Sequence, residues 1–217
     1  LILNILPVIV GYLLGAIPFG LIIARFYGIK DIRKTGSGNI GATNVWRVAG
    51  RVPGLIVLLC DIGKGVIAVL IASAMSQNNA YAEYIRLLSA MAAILGHIFP
   101  VYLVFRGGKG VNTALGTMVT LLPKETLMAL GIFIIIVAIF KYISLASIIA
   151  AISFAAIIVI EYILELAKIH PIYIGVGIIL AILIIITHRG NIKRLLSGTE
   201  NRFQFRSRKN REVKNNA

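Results

Sequence analysis

Residues 111–140 read VNTALGTMVTLLPKETLMALGIFIIIVAIF, 30 mostly apolar positions interrupted at Pro123-Lys124-Glu125. Whether this stretch is one helix or two decides the architecture, because it sets whether the chain crosses a membrane an odd or an even number of times. Proline removes a backbone donor and clashes with the preceding turn, and two charged residues follow it, which suits a tight turn between helices. The break predicts a short element near 111–122 and a second near 126–140. As one long tilted helix, the stretch would put the basic C-terminal segment outside, and we reject that reading.

Outward from this stretch, apolar runs cover residues 2–24, 53–75, 85–105, 145–164 and 171–187. A spanning helix needs ~20 apolar residues to cross ~30 Å of hydrocarbon. The element at 111–122 is short for that, but can enter the membrane where protein lines it. The expectation is an all-α, polytopic integral membrane protein with about seven transmembrane helices.

Charge sets the orientation. Residues 25–51 hold six basic groups and one acid, and residues 189–217 nine and two, together +12 of the net +14. Short Lys/Arg-rich loops stay cytoplasmic. The N-terminus is therefore expected outside, with 25–51, 104–110, 141–144 and 188–217 in the cytoplasm. Segments 76–84, 123–125 and 165–170 face the other side, where Glu83, Glu125 and Glu165 roughly match the few cations. Charged residues are only 14% of the chain, against ~25% in soluble domains, which excludes a disordered chain and argues against a soluble globule. The lone Cys60 excludes a disulfide framework and Cys-based metal sites. No small-residue cleavage site follows the first span, so a cleaved signal peptide is not expected. One membrane domain is expected over 1–200, with a basic, flexible cytoplasmic tail over 201–217.

Polar residues gather in three clusters. The first loop reads KTGSGNIGATNVWR over 34–47, placing Gly36, Gly38 and Gly41 among Ser37, Asn39, Thr43 and Asn44, with Arg47 at its end. Glycines allow inward-turned amides that cradle anions, and Arg adds a planar fork for phosphate. A flexible basic loop against anionic lipid is the competing reading. The second cluster is Gly96-His97-Ile98-Phe99-Pro100, followed by Gly107-Gly108-Lys109-Gly110 and, inside the next helix, Asn112 and Thr113. A glycine turn that opens a helix presents amides and a positive dipole end to phosphate, although the Walker spacing is absent. The alternative is an interfacial turn with a snorkelling lysine. The third cluster, 187–200, spaces His188, Asn191 and Arg194 by three, on roughly one face of a helix, with Lys193 and Glu200 nearby. Its bland reading is the usual positive flank of a span.

Asp61 and Lys64 lie inside the second span, three residues apart. Either they neutralise each other and fix packing, or they line a hydrated cleft. Ser144 and Ser147 stand at the cytoplasmic end of the sixth helix. No metal-ligand pattern emerges, and none of the three histidines is followed five residues later by Asp, the pattern of common acyl-CoA-dependent acyltransferases. Hydroxyls, amides, glycine turns and fixed cations on one membrane face point to phosphorylated substrates with one lipid-soluble part. A transporter of a phosphorylated metabolite is a second possibility. The motifs crowd one face and no inverted repeat is evident, which disfavours it. A purely structural anchor leaves the clusters unexplained.

Ser37 to Asn44, Gly96 to Pro100 with Gly107 to Gly110, and His188 to Glu200 resemble the three motifs of the bacterial acyl-phosphate:glycerol-3-phosphate acyltransferase family. The resemblance runs through nearly the whole chain to Glu200, with Asn112 standing where a small residue is usual. It implies transfer of a fatty acyl group from acyl phosphate to the 1-hydroxyl of glycerol 3-phosphate, giving lysophosphatidic acid and phosphate, at the cytoplasmic side of the bacterial inner membrane. It also implies independence of acyl-CoA, and no cofactor, metal or nucleic-acid partner is expected. Ser37, Arg47, Lys109, His188 and Asn191 would be catalytic. Asn39, Thr43, Asn44, Gly107, Gly108, Gly110, Thr113, Ser144, Lys193 and Arg194 would bind substrate, and Asp61, Lys64, His97 and Glu200 would be structural. Partners are then acyl phosphate, glycerol 3-phosphate and membrane lipids. Three general bases stay open: His188, an oxygen of the acyl phosphate itself, and, least supported, a covalent route through Ser37.

Overall fold

The computed structural model describes residues 2–203, so the tail expected over 201–217 lies, from 204 on, outside the described residues. Among the described residues the chain forms ten α-helices and two single 3-10 turns. It divides into two compact units, one ending at Leu121 and the other beginning at Leu122, one residue before Pro123. The break read at Pro123 is therefore real, and Pro123 itself opens the following helix, where its missing amide costs nothing.

The first unit holds α1 (Ile2–Ala16), α2 (Phe19–Phe26), α3 (Ala42–Ala49), α4 (Arg51–Met75), α5 (Ala82–Ile98) and α6 (Val111–Leu121). The run expected over 2–24 is split at Ile17-Pro18, because the residue before proline is pushed out of the helical region. Glycine lets the helices approach closely. A Cβ on Gly15 would collide with the Ala93 carbonyl, and one on Gly96 with that of Tyr12, so α1 and α5 pack backbone against backbone. Gly116 meets Ile62 in the same way and holds α6 to α4. Ser89 of α5 donates to the Pro7 carbonyl of α1 at 3.0 Å.

The second unit holds α7 (Pro123–Phe140), α8 (Ile143–Ile163), α9 (Ile172–Thr187) and α10 (Arg189–Leu196). Lys141 takes a left-handed conformation (φ 62°) that turns α7 tightly into α8. At the far ends of these two helices Lys124 pairs with Glu161 at 2.8 Å. Exposed Ile134, Ile135, Ile139, Ile152, Ile178 and Ile182 give these helices apolar outer faces, as expected of helices solvated by lipid.

Among the described residues, five runs are long and apolar enough to cross a membrane: Asn4–Phe26, Arg51–Met75, Ala82–Leu103, Pro123–Phe140 and Ile143–Ile163. A sixth requires α9 and α10 to count as one span bent by 62°. The 11 residues of α6 rise only about 16 Å, roughly half the hydrocarbon thickness.

Candidate active-site loops and helix ends

The loop over 25–51 is more ordered than its composition suggests. It contains a 3-10 turn at Ile32–Lys34 and the helix α3. Ile32, Ile40, Ala42 and Val45 are buried with Ala24 of α2 and Val57 of α4 in a small apolar core. These apolar positions were the signal that the loop is pinned down. Asn44, on α3, is its hub. Its Oδ1 accepts from the Ser37 amide at 2.8 Å, and its Nδ2 faces the carbonyls of Asn39 at 2.8 Å, Thr35 at 3.1 Å and Ile32 at 3.3 Å. With that side chain 2% exposed and its amide group committed to the loop, Asn44 shapes the site in this structure instead of reaching into it. Asn39 likewise accepts from Gly41 N at 2.8 Å, a local Asx turn. Gly36 and Gly38 both have positive φ, and a Cβ at Gly36 would strike Asn44 Oδ1. Ser37 is left exposed at the tip, with Thr43 and Arg47 half-buried on α3. Asp31 accepts two hydrogen bonds from the Arg33 guanidinium at 2.9 Å, and these hold its carboxyl down at about 2.

The second cluster folds back on the end of α5. Gly107 N donates to Ile98 O at 3.1 Å and Gly108 N to His97 O at 3.0 Å. This revises the expectation that both glycines offer their amides to a ligand, because the last carbonyls of a helix lack helical donors and capture them. A Cβ at Gly107 would meet the His97 carbonyl, and one at Gly108 the His97 ring. Gly110 has φ 84° and leads into α6, whose first-turn amides have no acceptor within the helix. Lys109 is half-buried in this turn. Thr113 is fully buried, and among the described residues its hydroxyl has no hydrogen-bond partner; its carbonyl borders Gly65 of α4. Asp61 and Lys64 are both buried and paired at 2.9 Å.

In the second unit, His188 joins α9 to α10 and is 2% exposed. Its Nδ1 lies 2.8 Å from the Ile184 carbonyl. A carbonyl only accepts, so Nδ1 carries the proton and Nε2 is the acceptor nitrogen of the neutral ring. Helix α10 ends in a Schellman turn: Gly198 (φ 70°) donates to Leu195 O at 3.2 Å and Thr199 to Arg194 O at 2.8 Å. The reversal brings Glu200 back over the helix. Its Oε1 accepts from Asn191 Nδ2 at 2.7 Å and from Ser144 Oγ at 3.0 Å, and its Oε2 from Arg194 Nε at 2.7 Å. Burial opposes the charge on Glu200, but these hydrogen bonds outweigh it and hold the carboxyl below the usual range. Three residues expected at substrate thus converge on Glu200, while Lys193 stays exposed. Among the described residues no group of three His, Cys, Asp or Glu side chains could hold a metal ion.

Residues 5–198 match the family model described as glycerol-3-phosphate acyltransferase. The glycerol-3-phosphate acyltransferase of Geobacter sulfurreducens is 44% identical over 90% of this chain and 95% of its own length. That of Geotalea daltonii is 45% identical over 93% and 98%. Two crystal structures of PlsY, an integral membrane glycerol 3-phosphate acyltransferase, superpose on the chain. The glycerol 3-phosphate form has a TM-score of 0.82 at 39% identity, covering 93% of this chain and 96% of its own. The lysophosphatidic acid form has a TM-score of 0.79 at 38% identity, covering 93% and 95%. The chain, an integral membrane protein of apolar helices, belongs to the glycerol-3-phosphate acyltransferase family.

Proposed function

We propose that this protein acylates the 1-hydroxyl of glycerol 3-phosphate with acyl phosphate as donor, releasing lysophosphatidic acid and inorganic phosphate. The observation that carries the reading is the Gly107–Gly110 turn, which places Lys109 where α6 begins, inside a chain of this family. A cation at the positive end of a helix is a phosphate site. Lys109 and the first-turn amides of α6 hold phosphate, and Arg47 supplies a second, bidentate cation. Ser37 and Thr43 add hydroxyls at the same loop, which Asn39, Asn44 and the glycines keep in shape.

In the reaction the acceptor hydroxyl attacks the acyl carbonyl carbon, a tetrahedral oxyanion forms, and the bond from carbonyl carbon to phosphate oxygen breaks. The hydroxyl proton passes to an oxygen of the departing phosphate, which serves as base. Arg47 and Lys109 lower the barrier by neutralising charge that grows in the transition state. His188 acts by orienting or stabilising through Nε2. Asn191, Arg194 and Ser144 act through the carboxylate they hold, and Lys193 attracts anionic substrate.

Seven crossings put the N-terminus outside and the C-terminus in the cytoplasm of a bacterial inner membrane, with α6 as a short, protein-lined element. Purified protein in detergent should release phosphate from acyl phosphate only when glycerol 3-phosphate is present. Uptake of glycerol 3-phosphate into sealed vesicles without acylation would overturn the enzyme reading. A reporter fused after residue 217 should report cytoplasm and one at the N-terminus the outside. Two same-side results would break the odd number of spans.

A further inference from the structure

The buried Asp61–Lys64 pair lies about 15 Å along α4, ten residues in, in a segment otherwise made for lipid. Two charges there are poorly explained by packing alone, because apolar side chains of similar volume would fill the space at no desolvation cost. Both groups reach beyond each other. Lys64 Nζ donates to the Ile17 carbonyl at 3.0 Å, at the break between α1 and α2, and sits 5.8 Å from the centre of the Phe19 ring. On the other side, Asp61 Oδ1 lies 3.6 Å from Nδ1 of the buried His97. That is too long for a hydrogen bond, and among the described residues Nδ1 has no other partner, so the contact is electrostatic and orients the ring.

His97 and Ile98 together hold the glycine turn three ways. The His97 carbonyl accepts from the Gly108 amide, the carbonyl of Ile98 accepts from Gly107, and the Nε2 edge of the His97 ring fills the place a Cβ of Gly108 would take. With Nδ1 drawn toward the carboxylate, the opposite edge of the ring must abut Gly108, the residue before Lys109. We propose that Asp61 is a positioning residue for glycerol 3-phosphate, acting through the His97 ring to seat the Gly107–Gly110 turn, with Lys64 neutralising the carboxylate in the membrane. This rests on the reading that the Lys109 turn holds the acceptor's phosphate.

The test is the double variant Asp61→Asn/Lys64→Met, which leaves no unpaired charge in the span. A pair that only packs would leave its kinetics as in the wild type. A positioning role raises KM for glycerol 3-phosphate roughly tenfold with kcat within about threefold, since a displaced turn weakens binding in ground and transition state alike. His97→Asn keeps a donor toward Asp61 but removes the ring edge from Gly108. It should raise KM by a similar factor, and adding it to the double variant should raise KM no further, because both changes break the same chain of contacts. An unchanged KM in the folded double variant overturns the proposal. If the double variant does not fold, an unchanged KM in His97→Asn overturns it. Lys109→Ala, assayed alongside, separates the two readings. If it loses activity while the Asp61 and His97 variants keep their KM, positioning fails and the phosphate turn stands. If Lys109→Ala is itself normal, the phosphate turn fails and this proposal with it.

Discussion

The two units build polar sites by different means. In the first, the backbone does the building. Glycines at 36, 38 and 110 take positive φ, Gly107 and Gly108 surrender their amides to the end of α5, and the side chain of Asn44 substitutes for a stretch of backbone pairing. In the second, side chains meet side chains: Ser144, Asn191 and Arg194 on two helices close on one carboxylate, Glu200. The first design leaves no room for an added carbon and tolerates few changes of backbone angle. The clasp of the second needs a reversed residue only at Gly198 and otherwise depends on single polar atoms. Variants that add atoms should therefore harm the first unit, and variants that remove them the second.

The largest effects belong to the side chains in the first unit that escape this rule. Lys109→Ala and Arg47→Ala should each cost at least about 100-fold in kcat/KM, equivalent to about 3 kcal/mol of preorganised charge stabilisation. Steady-state kinetics of folded variants measures this, and normal values in both would move the phosphate site elsewhere.

His188 sharpens the contrast from the second unit. If the substrate supplies its own base, His188→Gln keeps measurable turnover, because an amide still accepts a hydrogen bond but does not take the proton, and the pH–rate profile survives the change. If His188 is the base, both His188→Ala and a well-folded His188→Gln lose turnover, together with the acidic limb of the profile.

Gly108→Ala probes the backbone rule directly. The added methyl overlaps the His97 ring, and KM for glycerol 3-phosphate should rise about tenfold with kcat less affected. A harmless methyl here would remove the distinction between the units.

Deleting a polar atom is the matching experiment in the second unit. Glu200→Ala should lower stability by roughly 2 kcal/mol, mostly through the orphaned Asn191 and Ser144. Arg194 is 41% exposed on its side chain, and solvent screens its share. Thermal unfolding of the purified protein in detergent reads this loss.

The smallest expected effect is the pH dependence of that clasp. Because the folded-state pKa of Glu200 lies below its ordinary value, its stabilisation is complete above the ordinary carboxylate range and is lost only as pH falls through the lowered value. Melting temperature in detergent should fall with acid in the wild type and fall less in Glu200→Gln. Equal slopes would mean that the clasp does not titrate with unfolding.

Much of the architecture could be read from the residues in order. Apolar runs placed most helices within a few residues, although Pro18 splits the first run and α5 ends at Ile98, before Pro100 and well short of 105. Pro123 marked the break on which the count depends. The spacing of Asp61 and Lys64 put them on one helix face and allowed either a pair or a hydrated cleft, and the structure shows them paired. The helix α3 was not anticipated, because glycine and asparagine dominate that loop, and only the buried Ile32, Ile40 and Val45 betray its packing. The partners of Glu200 were legible in part. Arg194 is near in sequence, whereas Ser144 lies 56 positions away and no local pattern points to it.

The sequence by itself determined what must leave water and what must carry charge: how many apolar runs exist, which loops are basic, where glycine permits a reversed turn. These are properties of single residues and short spacings, and local sterics and solvation settle them. Only the tertiary structure decided which donors are already spent. The amides of Gly107 and Gly108 look available in the sequence, yet they bond to the end of α5, and Asn44, Asn191 and Ser144 prove to hold the protein to itself. A polar group buried in a packed chain must find a partner, and which partner it finds depends on contacts between residues far apart along the chain.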